Sequence, residues 1–195
     1  MRSIAIVLSA TLLSSAASAA PAKPIDLDKV PNQCRSMAKI PPSARTALPA
    51  LSARVSVASC ISEVVLADVP LTDDDASIQR ADAVMAPAIA TLDEVIAKGD
   101  PTTQIIAEYT KGDLLSGLEV RLRRSIPEMT ARTSVDAAQA LEQRHRALEP
   151  KLEPWAERAN AAFRHARAIA QANPAILDHN PVVQYMVRAG ERVTE

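Results

Sequence analysis

The chain reads as an all-α protein, an antiparallel bundle of about four to five long helices with a short C-terminal helix and a Pro-rich N-terminal arm. Three observations point there. Alanine, leucine and arginine, the strong helix formers, are abundant along the chain. Only 4 glycines occur, and few stretches alternate polar and β-branched residues as a half-buried strand would. Apolar residues recur instead at three- and four-residue spacings over long stretches separated by short Pro, Gly, Asn and Asp punctuation.

Residues 1–20 are organised differently. Arg2 supplies a positive start, Ile4 to Leu13 is an apolar run, and Ser14 to Ala20 is a small-residue stretch ending before Pro21. This is the layout of a secretory signal peptide cleaved after Ala19 or Ala20. It predicts an exported protein, periplasmic or extracellular, with no transmembrane helix in the mature chain. Residues 21–42 then form a Pro-rich arm, broken by Pro21, Pro24, Pro31, Pro41 and Pro42. Residues 43–195 are read as a single helical domain. A helical turn from Pro31 to Ala38 would carry Cys34.

The chain has 2 cysteines, Cys34 and Cys60. An even count in an exported protein predicts a disulfide, which would clip the arm to the first long helix. Closing that loop contributes on the order of 3 kcal/mol through lost chain entropy. The pair lacks the short Cys-x-x-Cys spacing of a metal knuckle.

The first long helix is placed at about Thr46 to Ala67. Leu48, Leu51, Val55, Ala58, Ile61 and Val65 form one apolar row, and Ala53, Val57, Cys60 and Val64 a second. With only Arg54 and Glu63 charged, it is expected to be the most buried helix. The second is capped at Thr72, with Asp73, Asp74 and Asp75 matching the positive end of the helix dipole. Its stripe runs through Ile78, Ala81, Met85, Ile89, Leu92 and Ile96, with a kink at Pro87 and an end at Gly99. Asp100-Pro101 reads as the N-cap and first position of the third helix, weakened at Gly112 and stopped by Pro127.

The next helix starts near Thr133 or Ser134, and its stripe is unusually long, including Leu141, His145, Leu148, Leu152, Trp155, Ala159, Phe163 and Ala166. Pro150 and Pro154 interrupt it, which predicts two helices, about 134–149 and 154–172, facing one core. Asn173-Pro174 ends the second of these. A final helix over about 181–189 follows the Asn180-Pro181 cap and closes at Gly190.

A formal charge of −1 provides no overall field for nucleic acid, and 1 Trp, 2 Tyr and 1 Phe are too few for base-stacking platforms. No nucleic-acid partner is expected. The chain also lacks a Gly-rich phosphate loop, a Gly-x-Ser-x-Gly elbow, a His-Glu-x-x-His zinc motif and a Cys-x-x-Cys-His haem motif.

Three constellations remain as candidate sites. Glu142 and His145, at i and i+3, share a helix face with the spacing of carboxylate-bridged di-metal bundles, though those need two such pairs. The competing reading makes His145 a core histidine. Met85 with His145 or His165 could ligate a haem without a covalent motif. Arg121, Arg123 and Arg124 form a basic knot suited to an anion through the guanidinium fork, against the alternative of a solvated helix face. Asp73 to Asp75 are assigned to capping rather than cation binding, and Trp155 and Phe163 to the core. No cofactor is required by any motif. The reading overall is an exported bundle with a non-catalytic binding role towards a protein, peptide or lipid partner. The alternatives are a metal- or haem-binding bundle, or a small enzyme with an Arg-lined anion cleft.

Overall fold

The structure, a computed structural model, describes residues 22–39, 48–67, 69–130 and 133–194. Residues 1–20, read from sequence as a signal peptide, and the start of the first helix expected at Thr46 lie outside the described residues. Among the described residues, six α-helices follow a short arm: α1 (Leu48–Ala67), α2 (Asp75–Lys98), α3 (Pro101–Arg123), α4 (Val135–Ala172), α5 (Pro174–His179) and α6 (Pro181–Thr194). No strand occurs among the described residues. The protein is an all-α bundle, as its composition and periodicity predict.

Short connections make α1, α2, α3 and α4 successive antiparallel neighbours. The α3–α4 pair is the most extensive packing in the molecule. Its core joins Leu115, Leu118 and Leu122 of α3 to Leu148, Leu152 and Trp155 of α4, with Ala81 and Met85 of α2 closing the third side. A second cluster seats Leu51, Val55 and Ala58 of α1 against Leu92 and Val95 of α2. The other flank of α1 is covered by the arm, where Val30 and Cys34 meet Val57. The outer strip of α1 keeps Ser52, Ser56 and Glu63 exposed.

Cys34 ends a 3-10 turn (Asn32–Cys34) and is bonded to Cys60 of α1, with a Cα–Cα distance of 5.8 Å. The arm is also tied to α2, since the Ile25 N–H donates to Thr91 Oγ1 at 2.7 Å.

Several helix boundaries differ from the sequence reading. α2 is capped by Asp74, whose Oδ1 accepts from the Ser77 N–H at 2.8 Å, while the Thr72 hydroxyl donates to the Asp74 carboxylate. The carboxylate outcompetes the hydroxyl because it accepts a stronger, charge-assisted bond. Pro87 lies within the continuous run of α2. α3 begins on the Asp100 cap, with Thr103 N–H to Asp100 Oδ1 at 2.8 Å.

The largest correction concerns α4, one helix of 38 residues rather than two. Each internal proline leaves a carbonyl four residues earlier without its helical donor, at a cost of about 3 kcal/mol. Pro150 and Pro154 both sit on the exposed face, so water reaches those carbonyls. Leu148, Leu152, Trp155 and Ala159 remain on one buried stripe against α3, and this packing carries the helix through. Gly190, expected as a terminator, lies inside α6 and is buried against Phe163. Pro174 starts a helix of its own, α5, because a first-turn position needs no N–H.

Candidate functional site

Along its length α4 presents Arg144, Lys151, Arg158 and His165, each seven residues after the last and so two turns further along one face. The first three pair with α2 and the residues leading into it: Arg144 with Asp73, just before the helix, at 2.6 Å, Lys151 with Asp75 at 2.7 Å, and Arg158 with Asp82 at 3.4 Å. The pairs run in the same order on both helices, so α2 and α4 are parallel and joined by a ladder of ion pairs. Trp155 Nε1–H donates to Asp82 Oδ1 at 3.1 Å, adding a neutral rung.

The fourth rung is different. His165 meets α3 instead of α2, its Nδ1 lying 2.5 Å from Glu108 Oε1. Between the third and fourth rungs α4 offers only Ala161 and Ala162, and the seam opens into a cleft of about 450 Å³ between α2, α3 and α4. Ile89 and Asp93 of α2 and Glu108 and Lys111 of α3 complete its lining with Arg158 and His165.

Glu108 is the unusual member. It is 4 % exposed, the only buried carboxylate among the described residues. Removing a carboxylate from water costs several kcal/mol unless hydrogen bonds replace its hydration. His165 supplies that replacement. A carboxylate only accepts, so the His165 Nδ1 is the donor of this bond and Nε2 is the ring nitrogen it leaves over. The His165 side chain is 57 % exposed, so the cleft has a buried orienting group beneath a solvent-reachable imidazole. Lys111 is similarly drawn in: its side chain is 21 % exposed, and its Nζ contacts Asp93 at 2.6 Å.

The residues singled out from sequence fall elsewhere. Glu142 is exposed, and its carboxylate takes a hydrogen bond from Arg146 Nη2 at 2.5 Å, one turn along the same helix. His145, three residues on, is half-buried on α4. No group of three or more His, Cys, Asp or Glu arranged to hold a metal ion occurs among the described residues. Met85 is enclosed in the main core, and His165 is engaged by Glu108.

Arg121 and Arg123, near the end of α3, have different surroundings. Arg123 donates to Glu119 at 2.8 Å and also to Glu149 of α4. Arg121 lines a separate groove with Ser62, Glu63 and Asp113, and Arg124 is the C-terminal cap of α3, with its N–H bonded to Val120 O and Leu122 O. Residues 121 and 123 are about 200° apart around a helix, so one ligand is not bracketed by both. Asp73, Asp74 and Asp75 diverge likewise, to Arg144, the helix cap and Lys151.

Glu108 and His165 were legible in part. Ile105, Glu108, Gly112 and Leu115 follow a three-four spacing that marks buried positions, so an acid in that row is anomalous. No matching signal tied it to a histidine more than fifty residues away.

No protein-family model, no curated protein and no solved structure matches this chain.

Proposed function

We propose that this is an exported helical-bundle protein that works by binding rather than catalysis, with the cleft between α2, α3 and α4 as its binding site. The observation that carries this reading is Glu108, buried between helices at the cleft and hydrogen-bonded to a half-exposed histidine at the cleft wall. An aliphatic residue at that position would stabilise a bundle more cheaply, because it carries no desolvation cost. A buried polar group in an open cleft is therefore better accounted for by recognition than by folding.

Export is supported by the charged, apolar and small-residue order of residues 1–20 and by the joined Cys34 and Cys60, which suit an oxidising compartment. No helix among the described residues is long and apolar enough to cross a membrane.

A second reading is favoured by the same pair. An imidazole oriented by a buried carboxylate is also the arrangement of a general base, here beside Arg158 and Lys111. Native mass spectrometry of the protein exported with its own leader, beside Glu108→Gln and His165→Ala, separates the readings. A retained species that is chemically unchanged and is lost from both variants supports binding at the cleft. Conversion of the retained species by wild type alone selects the enzyme instead. A species retained equally by all three proteins places the site elsewhere.

A further inference from the structure

We infer that the cleft takes a small organic acid bearing an amino or hydroxyl group at its far end, an inference that rests on the cleft being the binding site. The groups around it are unequally committed. Each carboxylate in the lining holds a short contact: Glu108 with His165 at 2.5 Å and Asp93 with Lys111 at 2.6 Å. Arg158 reaches Asp82 only at 3.4 Å, through one Nη1, and Asp82 also accepts from Trp155. A guanidinium has five N–H donors in a planar fork, so Arg158 retains most of its capacity for an incoming carboxylate. Lys111, with one short acceptor for three donors, adds a second cation to the same wall.

The other end has the opposite preference. Glu108 accepts the Nδ1 proton of His165 in a hydrogen bond, and in the neutral imidazole Nε2 then presents a lone pair that asks for a donor. The nearby carboxylates of Glu108 and Asp93 favour a positively charged donor. Arg158 and His165 stand seven residues apart, about 10.5 Å along the helix axis. Ala161 and Ala162 line the interval between them and add little bulk. That spacing suits an acid whose donor lies several bonds from its carboxylate.

The test uses four probes with the purified full protein: 6-aminohexanoate, hexanoate, hexylamine and inorganic phosphate. Binding is followed by calorimetry and by the NMR signals of the His165 ring and the Arg158 guanidinium. The expected order is 6-aminohexanoate tightest, hexanoate weaker, and hexylamine and phosphate weakest. Arg158→Gln should weaken both acids by roughly ten- to hundredfold. His165→Ala should erase the advantage of 6-aminohexanoate over hexanoate while leaving hexanoate nearly unchanged. Arg121→Gln, in a different groove, should change neither.

Hexylamine binding as tightly as 6-aminohexanoate would overturn the acid recognition while leaving the cleft as the binding site. Phosphate binding tightest would overturn the organic-acid class with the same consequence. Cleft signals unmoved by all four probes, with a peptide or protein retained in the native spectrum, would overturn the ligand class alone. A retained species indifferent to Glu108 and His165 would remove the cleft from both readings.

Discussion

Phe163 of α4 lies across the bare backbone of Gly112 in α3: a β-carbon on Gly112 would stand 2.7 Å from Phe163 Cε1. The same ring abuts Gly190 of α6, where an added β-carbon would meet Cδ1 at 3.1 Å, and tilts against Tyr109 with ring centroids 5.5 Å apart. One aromatic ring thus sets the approach of three helices. In an isolated helix, Gly→Ala gains about 1 kcal/mol. Here the ring is 4 % exposed and has little room to retreat. Gly112→Ala is therefore expected to destabilise by about 1–3 kcal/mol in denaturant unfolding. Phe163→Leu in the same chain should recover part of the loss. A stabilised single variant would show that the ring is not wedged there.

Gly117 is the internal control. It also lies within α3, but nothing approaches within 4 Å of its added β-carbon. Gly117→Ala should stabilise by about 0.5–1 kcal/mol, the ordinary helix gain. Opposite signs at two glycines of one helix, measured side by side, would separate packing from propensity.

The continuity of α4 through its prolines predicts the effect of removing them. Pro150→Ala and Pro154→Ala each restore a backbone donor on an exposed face without disturbing the buried stripe. Each should stabilise by about 1–3 kcal/mol, with almost no gain in helical circular dichroism. A large rise in helicity would mean that the native chain is broken at these positions.

The Cys34–Cys60 bond closes a separation of 26 residues. Replacing both cysteines by serine should cost roughly 3.5 kcal/mol by loop entropy. Hydrogen exchange should rise first in the arm, whose remaining ties include Ile25 to Thr91. Unchanged protection over residues 22–39 would show that packing alone holds the arm.

Arg144 donates through Nε and Nη2 to both oxygens of Asp73, at 2.9 and 2.6 Å, and these bonds hold the Asp73 carboxyl below the usual carboxylate range. A depressed folded value means that the unfolded chain binds the proton first as pH falls. The contribution is fully present above the unfolded value near pH 4 and disappears as pH drops through the folded one. Arg144→Gln should therefore lower the Tm by a constant amount between pH 5 and 8, with the gap closing below about pH 4. A gap that persists at pH 2 would assign the loss to packing of the arginine stem.

Much of the architecture was legible because it rests on local rules. The three-four spacing marks the helices, Asp100-Pro101 starts α3 with the expected cap, Ser134 is one of the two starts read for α4, and Gly99 ends α2 as read. The pairing of Cys34 with Cys60 followed from there being only 2 cysteines. The break expected at Pro150 and Pro154 was misplaced because proline propensity is a local cost. Whether a helix bears it depends on which face the ring occupies and on what the opposite face packs against.

The sequence by itself determined an all-α chain, its helix order and its covalent clip, since periodicity, caps and cysteine count act within short stretches or by elimination. Only the tertiary structure decided which charges meet. Arg123 was read with Arg121 and Arg124 as one basic knot, yet it is engaged by Glu119 and Glu149. Glu108 and His165 stand 57 positions apart and are joined only because α3 and α4 pack antiparallel in one register. A side-chain pair across two helices is a product of that packing, through the register and rotation of each helix, and neither is written in a local stretch of residues.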